Sequence, residues 1–352
     1  AIDNSAGVDC SDHEVNIKIL LGSIIRDGGM TRVQRDTLLG EMTEQVASLV
    51  LRDNYLQTFA ISATEARGVG LLDREARMMQ ELEKAGKLNR AVEFLPDDET
   101  VAERRTARVG LMRPELSVLL SYAKMTLYPE LLDSDLPDDP YLESDLVGYF
   151  PIQLRERYPD QIAAHPLKRE IIATVVTNSL INRTSLTFPR LAREETGQDA
   201  PSVARAFVIA RDAFAVREVW AEIEALDNQV STAVQLDMVQ ESRRLIESAS
   251  LWFLRNLQSP VDCATTVGRF APGIGELAAN LDDAMTEAGV ERRSARAEAL
   301  REAGVPETLA VRVAGFDALA SACDIVQIAA NRDIPIVPAA LTYFDLGARV
   351  RC

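Results

Sequence analysis

Apolar residues recur along this chain at intervals of three and four, the signature of amphipathic helices. Ile17, Leu20, Leu21 and Ile24 form the first such stripe, widened by Val15 and Ile19. Ser11-Asp12-His13-Glu14 precedes it with the pattern of a capping box, Ser at the N-cap and Glu three residues on. Gly28-Gly29 closes the pattern, and a second box, Thr31-Arg32-Val33-Gln34, opens a helix with Leu38, Met42, Val46 and Leu49 on one face. Further helices are predicted over Leu71 to Leu82, from Pro114 to about Leu127, and from Pro166 with Ile172, Val175, Val176, Ser179 and Leu180. Both prolines fall in a first turn, where the missing N–H costs nothing.

The same spacing continues through Ser202 to Phe214, Val216 to Leu226 and a long stretch from about Gln229 to Leu257, with Val234, Met238, Leu245, Ala249 and Trp252 in register. Helices over Thr308 to Ile328 and from Pro338 onward complete the set. Alternating strand patterns are absent after Val8, and no internal repeat or Gly/Ser-rich linker is found. Ala1 to Asp9, with Asn4 and Gly7, reads as a strand end running into a turn. The predicted fold class is therefore mainly α: a residual strand-turn-helix edge, residues 1–29, which the resemblance given below implies is that of a Rossmann-like domain, then a multi-helix domain, residues 30–352. The boundary at Gly28-Gly29 rests on a change of structural type.

Composition narrows the function. A net charge of −16 argues against nucleic acid and against docking to an anionic membrane surface, since both need a basic face. Four scattered cysteines with no C-x-x-C pair point to a reducing cytoplasm. Two histidines, His13 and His165, exclude a His-rich metal site. No apolar run approaches the roughly 20 residues of a membrane span, and the N-terminus lacks signal-peptide architecture. With no initiator Met, the chain is expected to be a fragment trimmed at the front.

Asn4-Ser5-Ala6-Gly7-Val8-Asp9-Cys10-Ser11-Asp12-His13-Glu14 resembles the N-A-G-G-V-x-x-S-x-x-E segment of glutamate dehydrogenases. Asn4, Gly7, Val8, Ser11 and Glu14 match position by position; Ser5 and Ala6 replace the family's small Ala and Gly. The longer string Asp9 to Lys18, with Leu49–Thr58, Arg113–Met125 and His165–Thr187, is similar to the large bacterial NAD-specific class. The resemblance implies that Asn4 approaches the nicotinamide end of NAD, Val8 packs beside the substrate, and the Ser11 hydroxyl binds the distal carboxylate of glutamate. An amide can donate and accept toward a carboxamide, and a hydroxyl at a helix start meets a carboxylate where the dipole favours it. Asn4, Gly7, Ser11 and Glu14 also read as an ordinary turn and cap.

The resemblance implies an enzyme converting L-glutamate, NAD and water to 2-oxoglutarate, ammonium and NADH. The helical domain is assigned to subunit contacts, in a homo-oligomer, or to regulation. The general base and the Gly-rich turn under the pyrophosphate lie upstream of this segment in the family, so these residues alone are expected to be inactive. The rivals are a non-catalytic helical scaffold or regulatory module and an all-α enzyme with its own carboxylate site. Gly273-Ile274-Gly275-Glu276-Leu277-Ala278 spells a dinucleotide fingerprint without the strand it requires, and reads as a loop with Gly at a helix start. Asp133 to Asp139 fails the EF-hand template and reads as a solvated loop. No metal site is expected.

Overall fold

The computed structural model describes residues 5–258 and 261–350, and among them every regular element is helical, with twenty α-helices and no strand. The chain divides into two compact units, Ala1–Leu191 and Ala192–Cys352. The boundary expected at Gly28-Gly29 falls inside the first. Of Ala1 to Asp9, expected to be a strand end running into a turn, residues 1–4 lie outside the described residues and Ser5 to Asp9 are helical.

The first unit begins with α1 (Ser5–Arg26), α2 (Arg32–Glu65), α3 (Val69–Lys84), α4 (Asp98–Ala107) and α5 (Arg113–Leu132). Short helices α6 (Glu143–Tyr149), α7 (Ile152–Arg157) and α8 (Pro159–Ala163) lead to α9 (Lys168–Arg183), and α10 (Phe188–Thr196) spans the division between units. Ile17, Leu20, Leu21 and Ile24 are all buried, as their spacing predicts. The Thr31 box is present in full: the Thr31 hydroxyl accepts from Gln34 N–H and the Gln34 carbonyl accepts from Thr31 N–H.

The start of α1 differs from expectation. The helix begins at Ser5, so Ser11 and Glu14 sit one and a half turns or more inside it and cap nothing. Ser5 to Cys10 contains no proline, and its one glycine costs about 1 kcal/mol in a helix. Extending a formed helix adds a hydrogen bond for each residue fixed, which offsets that cost. The acidic stretch also differs in detail. It forms two 3₁₀ turns, Leu136–Asp138 and Pro140–Leu142, with Leu136 fully buried. Arg169 pairs with Asp138 and donates to the Leu132 and Ser134 carbonyls.

The second unit comprises α11 (Ala200–Ala213), α12 (Val216–Glu224), α13 (Thr232–Asn256), α14 (Cys263–Ala279), α15 (Leu281–Ala284), α16 (Glu287–Glu302), α17 (Glu307–Ala314), α18 (Phe316–Leu319), α19 (Ala322–Arg332) and α20 (Ile336–Val350). Phe253 and Phe270 meet edge to face at 5.2 Å, with Trp252 against both. The single helix expected over Thr308 to Ile328 is three. A Cβ on Gly315 would meet Leu281 Cδ1 at 2.8 Å, so the chain turns at a close approach. The expected loop at Gly273-Ile274-Gly275 is instead the interior of α14. Gly273 is there for packing: a Cβ would meet Val326 Cγ2 at 2.9 Å.

Candidate functional site

Val8 and Ser11 are three residues apart on α1 and both exposed, Val8 at 59%; Val15, a further turn on, is 48% exposed. Residues at i, i+3 and i+7 share a helix face, so these three make one open stripe. Asn4 lies outside the described residues. The structure thus brings together two of the three residues singled out from the sequence, on a face with no other described element over it.

The opposite face of α1 carries a polar interlock that periodicity did not reveal. Asp12, His13 and Asn16 project from α1, Asp53 and Asn54 from α2, Lys124 from α5 and Tyr149 from the end of α6; His165 lies in the turn before α9. The Tyr149 hydroxyl donates to Asp12 Oδ2 at 2.7 Å and accepts from Asn16 Nδ2 at 3.0 Å. Its ring stacks on His13 with centroids 4.5 Å apart. His13 is buried, its Nε2 3.7 Å from Asp53 Oδ2, too far for a hydrogen bond. Asn54 Nδ2 donates to Asp9 Oδ2 at 3.3 Å, tying α2 to the first turns of α1.

The tautomer of His165 follows from its partners. Leu167 N–H donates to Nδ1 at 3.1 Å, so Nδ1 is an unprotonated acceptor. Nε2 then carries the hydrogen and donates to the Asn16 backbone carbonyl, also 3.1 Å away. Burial holds His165 below the usual histidine range, which keeps the imidazole neutral at pH 7. Burial, then the Asp12 carboxylate, pushes the Tyr149 phenol far above its ordinary value, so it stays a donor. Lys124 is pushed down to about 8 by burial, against the pull of Asp53 and Asp9.

Two other places carry features of a site. Glu75 is 2% exposed and its carboxyl is pushed up to about 8, by burial first and by Glu115 second. Such a shift can mark a functional carboxyl, but Glu75 is packed inside the first unit, out of reach of solvent. A cavity of about 1040 Å³ in the second unit is lined by Arg292, Arg293, Arg296, Met285, Tyr343 and Phe344 among others. Arg293 pairs with Asp282, and Arg296 with Asp237 and Glu241, which neutralises much of the basic wall.

Neither unit offers a dinucleotide cradle among the described residues. The Gly-rich string lies within α14, and no strand precedes it. No group of three or more His, Cys, Asp and Glu is placed to hold a metal among the described residues. Asp12 and Glu14 are exposed while His13 between them is buried, since successive helical residues point in different directions. No helix among the described residues is long and apolar enough to cross a membrane.

Tyr149, Asp53 and His165 were not legible as a site, because 40 to 149 residues separate them in sequence from their partners on α1, far beyond any helical period. The one available signal was that the chain's only two histidines each fall in a stretch resembling the large bacterial class. Both are buried; His13 lies on α1, and His165 bonds to its backbone at Asn16.

Comparison with known proteins gives the chain a family. The model described as "Glutamate dehydrogenase, C-terminal" matches residues 108–352, and that described as "Bacterial NAD-glutamate dehydrogenase, catalytic domain" matches residues 1–64. Proteins named NAD-specific glutamate dehydrogenase are similar over 99% of the chain: one from Halomonas elongata at 42% identity, one from Pseudomonas aeruginosa at 43% and one from Mycobacterium tuberculosis at 36%. The chain spans 22% of the length of the first and 21% of the other two.

Proposed function

The chain belongs to the glutamate dehydrogenase C-terminal family, and we propose that it is the C-terminal portion of a large bacterial NAD-specific glutamate dehydrogenase. The whole protein is then an oxidoreductase taking L-glutamate, NAD and water to 2-oxoglutarate, ammonium and NADH. The observation that carries this reading is similarity at 42% and 43% identity along nearly the entire chain to two proteins of that name.

Within this reading residues 1–29 are the C-terminal edge of the NAD-binding catalytic domain and residues 30–352 are a helical domain. The open stripe of α1 supports a substrate-facing role. Ser11 Oγ, free of any capping duty, donates to the distal carboxylate of glutamate, and Val8 packs beside the aliphatic chain. Asn4 is assigned to the nicotinamide end of the cofactor from the sequence resemblance alone. NAD supplies the hydride acceptor when bound; the described residues do not fit it by themselves, and its cradle is assigned to the remainder of the polypeptide. The helical domain is assigned to subunit contacts or regulation in a cytoplasmic homo-oligomer.

The test is an assay of the complete gene product that carries this chain. NADH formation, followed at 340 nm, is expected to depend on L-glutamate. Residues 1–352 alone are expected to give none. A complete protein with no glutamate-dependent reduction of NAD would overturn the reading, as would repurified residues 1–352 that turn over unaided.

A further inference from the structure

The interlock behind α1 joins the two stretches of sequence that match different families. Asp12, His13 and Asn16 lie in the stretch matching the catalytic domain, residues 1–64; Tyr149 and His165 lie in the stretch matching the C-terminal family, residues 108–352. We infer that Tyr149 and His165 are positioning residues for the substrate-facing stripe of α1, an inference that rests on reading Ser11 as the ligand of the glutamate carboxylate.

The geometry fixes the helix in two ways. One hydroxyl, that of Tyr149, holds Asp12 and Asn16, residues one turn apart on α1, by donating to the first at 2.7 Å and accepting from the second at 3.0 Å. Both hydrogen-bonding functions of the phenol are used, so the helix cannot turn about its axis without losing one. His165 grips a backbone carbonyl, that of Asn16, and so fixes the helix along its axis independently of any side-chain rotamer.

Apolar packing by Ile17, Leu20 and Leu21 buries the same face but is non-directional and tolerates small rotations. Directional bonds do not. The tolerance matters at Ser11. A side-chain oxygen roughly 4 Å from the axis moves about 1 Å when an α-helix turns by about 15°. A misplacement of about 1 Å can cost on the order of 100-fold in rate. Tyr149 is the last residue of α6 and His165 lies in the turn before α9, so movement of those helices within the first unit reaches Ser11 through these contacts.

The experiment is a double-mutant cycle in the complete gene product: Tyr149→Phe, Ser11→Ala and the pair, with KM for glutamate, KM for NAD and Tm measured on each. Tyr149→Phe keeps the ring stacked on His13 and removes only the hydroxyl. The expected result is a rise of about 3- to 30-fold in the KM for glutamate, well under the cost of a full 1 Å misplacement. The KM for NAD stays within about 2-fold, and Tyr149→Phe adds nothing in the Ser11→Ala background. Should Ser11→Ala raise the KM for glutamate while Tyr149→Phe leaves it unchanged, the positioning role falls and the Ser11 reading stands. Should Ser11→Ala leave it unchanged, the Ser11 reading falls and takes the positioning role with it. Equal rises in both KM values, or additive effects in the pair, would make Tyr149 mere structural support and overturn the inference. If Tyr149→Phe does not accumulate folded, Asp12→Asn takes its place, because it weakens the same hydrogen bond at constant shape. The same split between the two KM values is expected of it, and its absence overturns the inference equally.

Discussion

Arg104 and Glu115 meet fork to fork across the first unit, with Nη1 and Nη2 donating to the two carboxylate oxygens at 2.6 and 2.8 Å. The same carboxylate accepts from Met112 N–H at 2.7 Å, so one buried side chain closes the start of α5 and ties it to α4. Arg104→Ala would leave Glu115, 6% exposed, as a buried charge without its counterion. Breaking such a pair from one side costs about 3–5 kcal/mol. Urea denaturation of the two proteins is the measurement, and a loss below about 1 kcal/mol would show that the pair is solvated in solution.

Glu75 sets a pH dependence of the opposite sign to most carboxylates. Burial and the neighbouring Glu115 push its folded pKa up from the ordinary 4.5 to about 8. Between those values the folded state holds a proton that the unfolded state has released, so stability falls as pH rises through this window. Glu75→Gln removes the titration at constant shape. The variant is expected to match the parent near pH 4.5 and to melt increasingly above it toward pH 8. A gap between the two melting curves that stays constant from pH 5 to 8 would rule out Glu75 as the group responsible.

Gly110 and Gly40 make a matched pair of substitutions. A Cβ on Gly110 would lie 2.7 Å from the backbone carbon of Gly68, itself at φ +50°, in the turn after α2. Nothing flexible stands between the two backbones, so Gly110→Ala must part them and is expected to destabilise by about 1–3 kcal/mol. Gly40 lies inside α2 with nothing within 4 Å of an added Cβ. Gly40→Ala is expected to stabilise by about 0.5–1 kcal/mol. Thermal melts of both decide it, and a shift of the same sign for the two would contradict the packing described.

How much of this was legible in the sequence depended on range. The Thr31 box and the Ile17, Leu20, Leu21 and Ile24 stripe were correct because a cap and a helix face are decided within a few residues. The helix α16 left no such trace: its buried residues are only Gly289, Ala297 and Leu300, too few to print a period. α14 was obscured by Gly273 and Gly275, read as a loop; Gly273 reflects close packing against Val326 rather than a turn, and Gly275 has nothing within 4 Å of an added Cβ. Val8 and Ser11 were indicated by family resemblance, since nothing in helical spacing distinguishes an exposed serine from any other. The Tyr149–Asp12 bond, 137 residues across, is a property of the fold and could be seen only there.

Ser11 carries the sharpest prediction, because the structure separates its two readings. As an N-cap its loss would cost about 1 kcal/mol. It is instead exposed within α1, where alanine is the better helix former by about half a kcal/mol. Ser11→Ala should therefore leave Tm unchanged or slightly raised. If the hydroxyl binds the distal carboxylate of glutamate, the same change removes a charge-assisted hydrogen bond worth roughly 1.5–3 kcal/mol. That corresponds to a loss of about 10- to 150-fold in kcat/KM for glutamate. Ser11→Asp adds like-charge repulsion and should lose more. Steady-state kinetics of both variants in the complete gene product, beside their melting temperatures, make the comparison. Normal turnover by Ser11→Asp at an unchanged Tm would remove Ser11 from the site, whereas lost turnover at an unchanged Tm would place it against substrate.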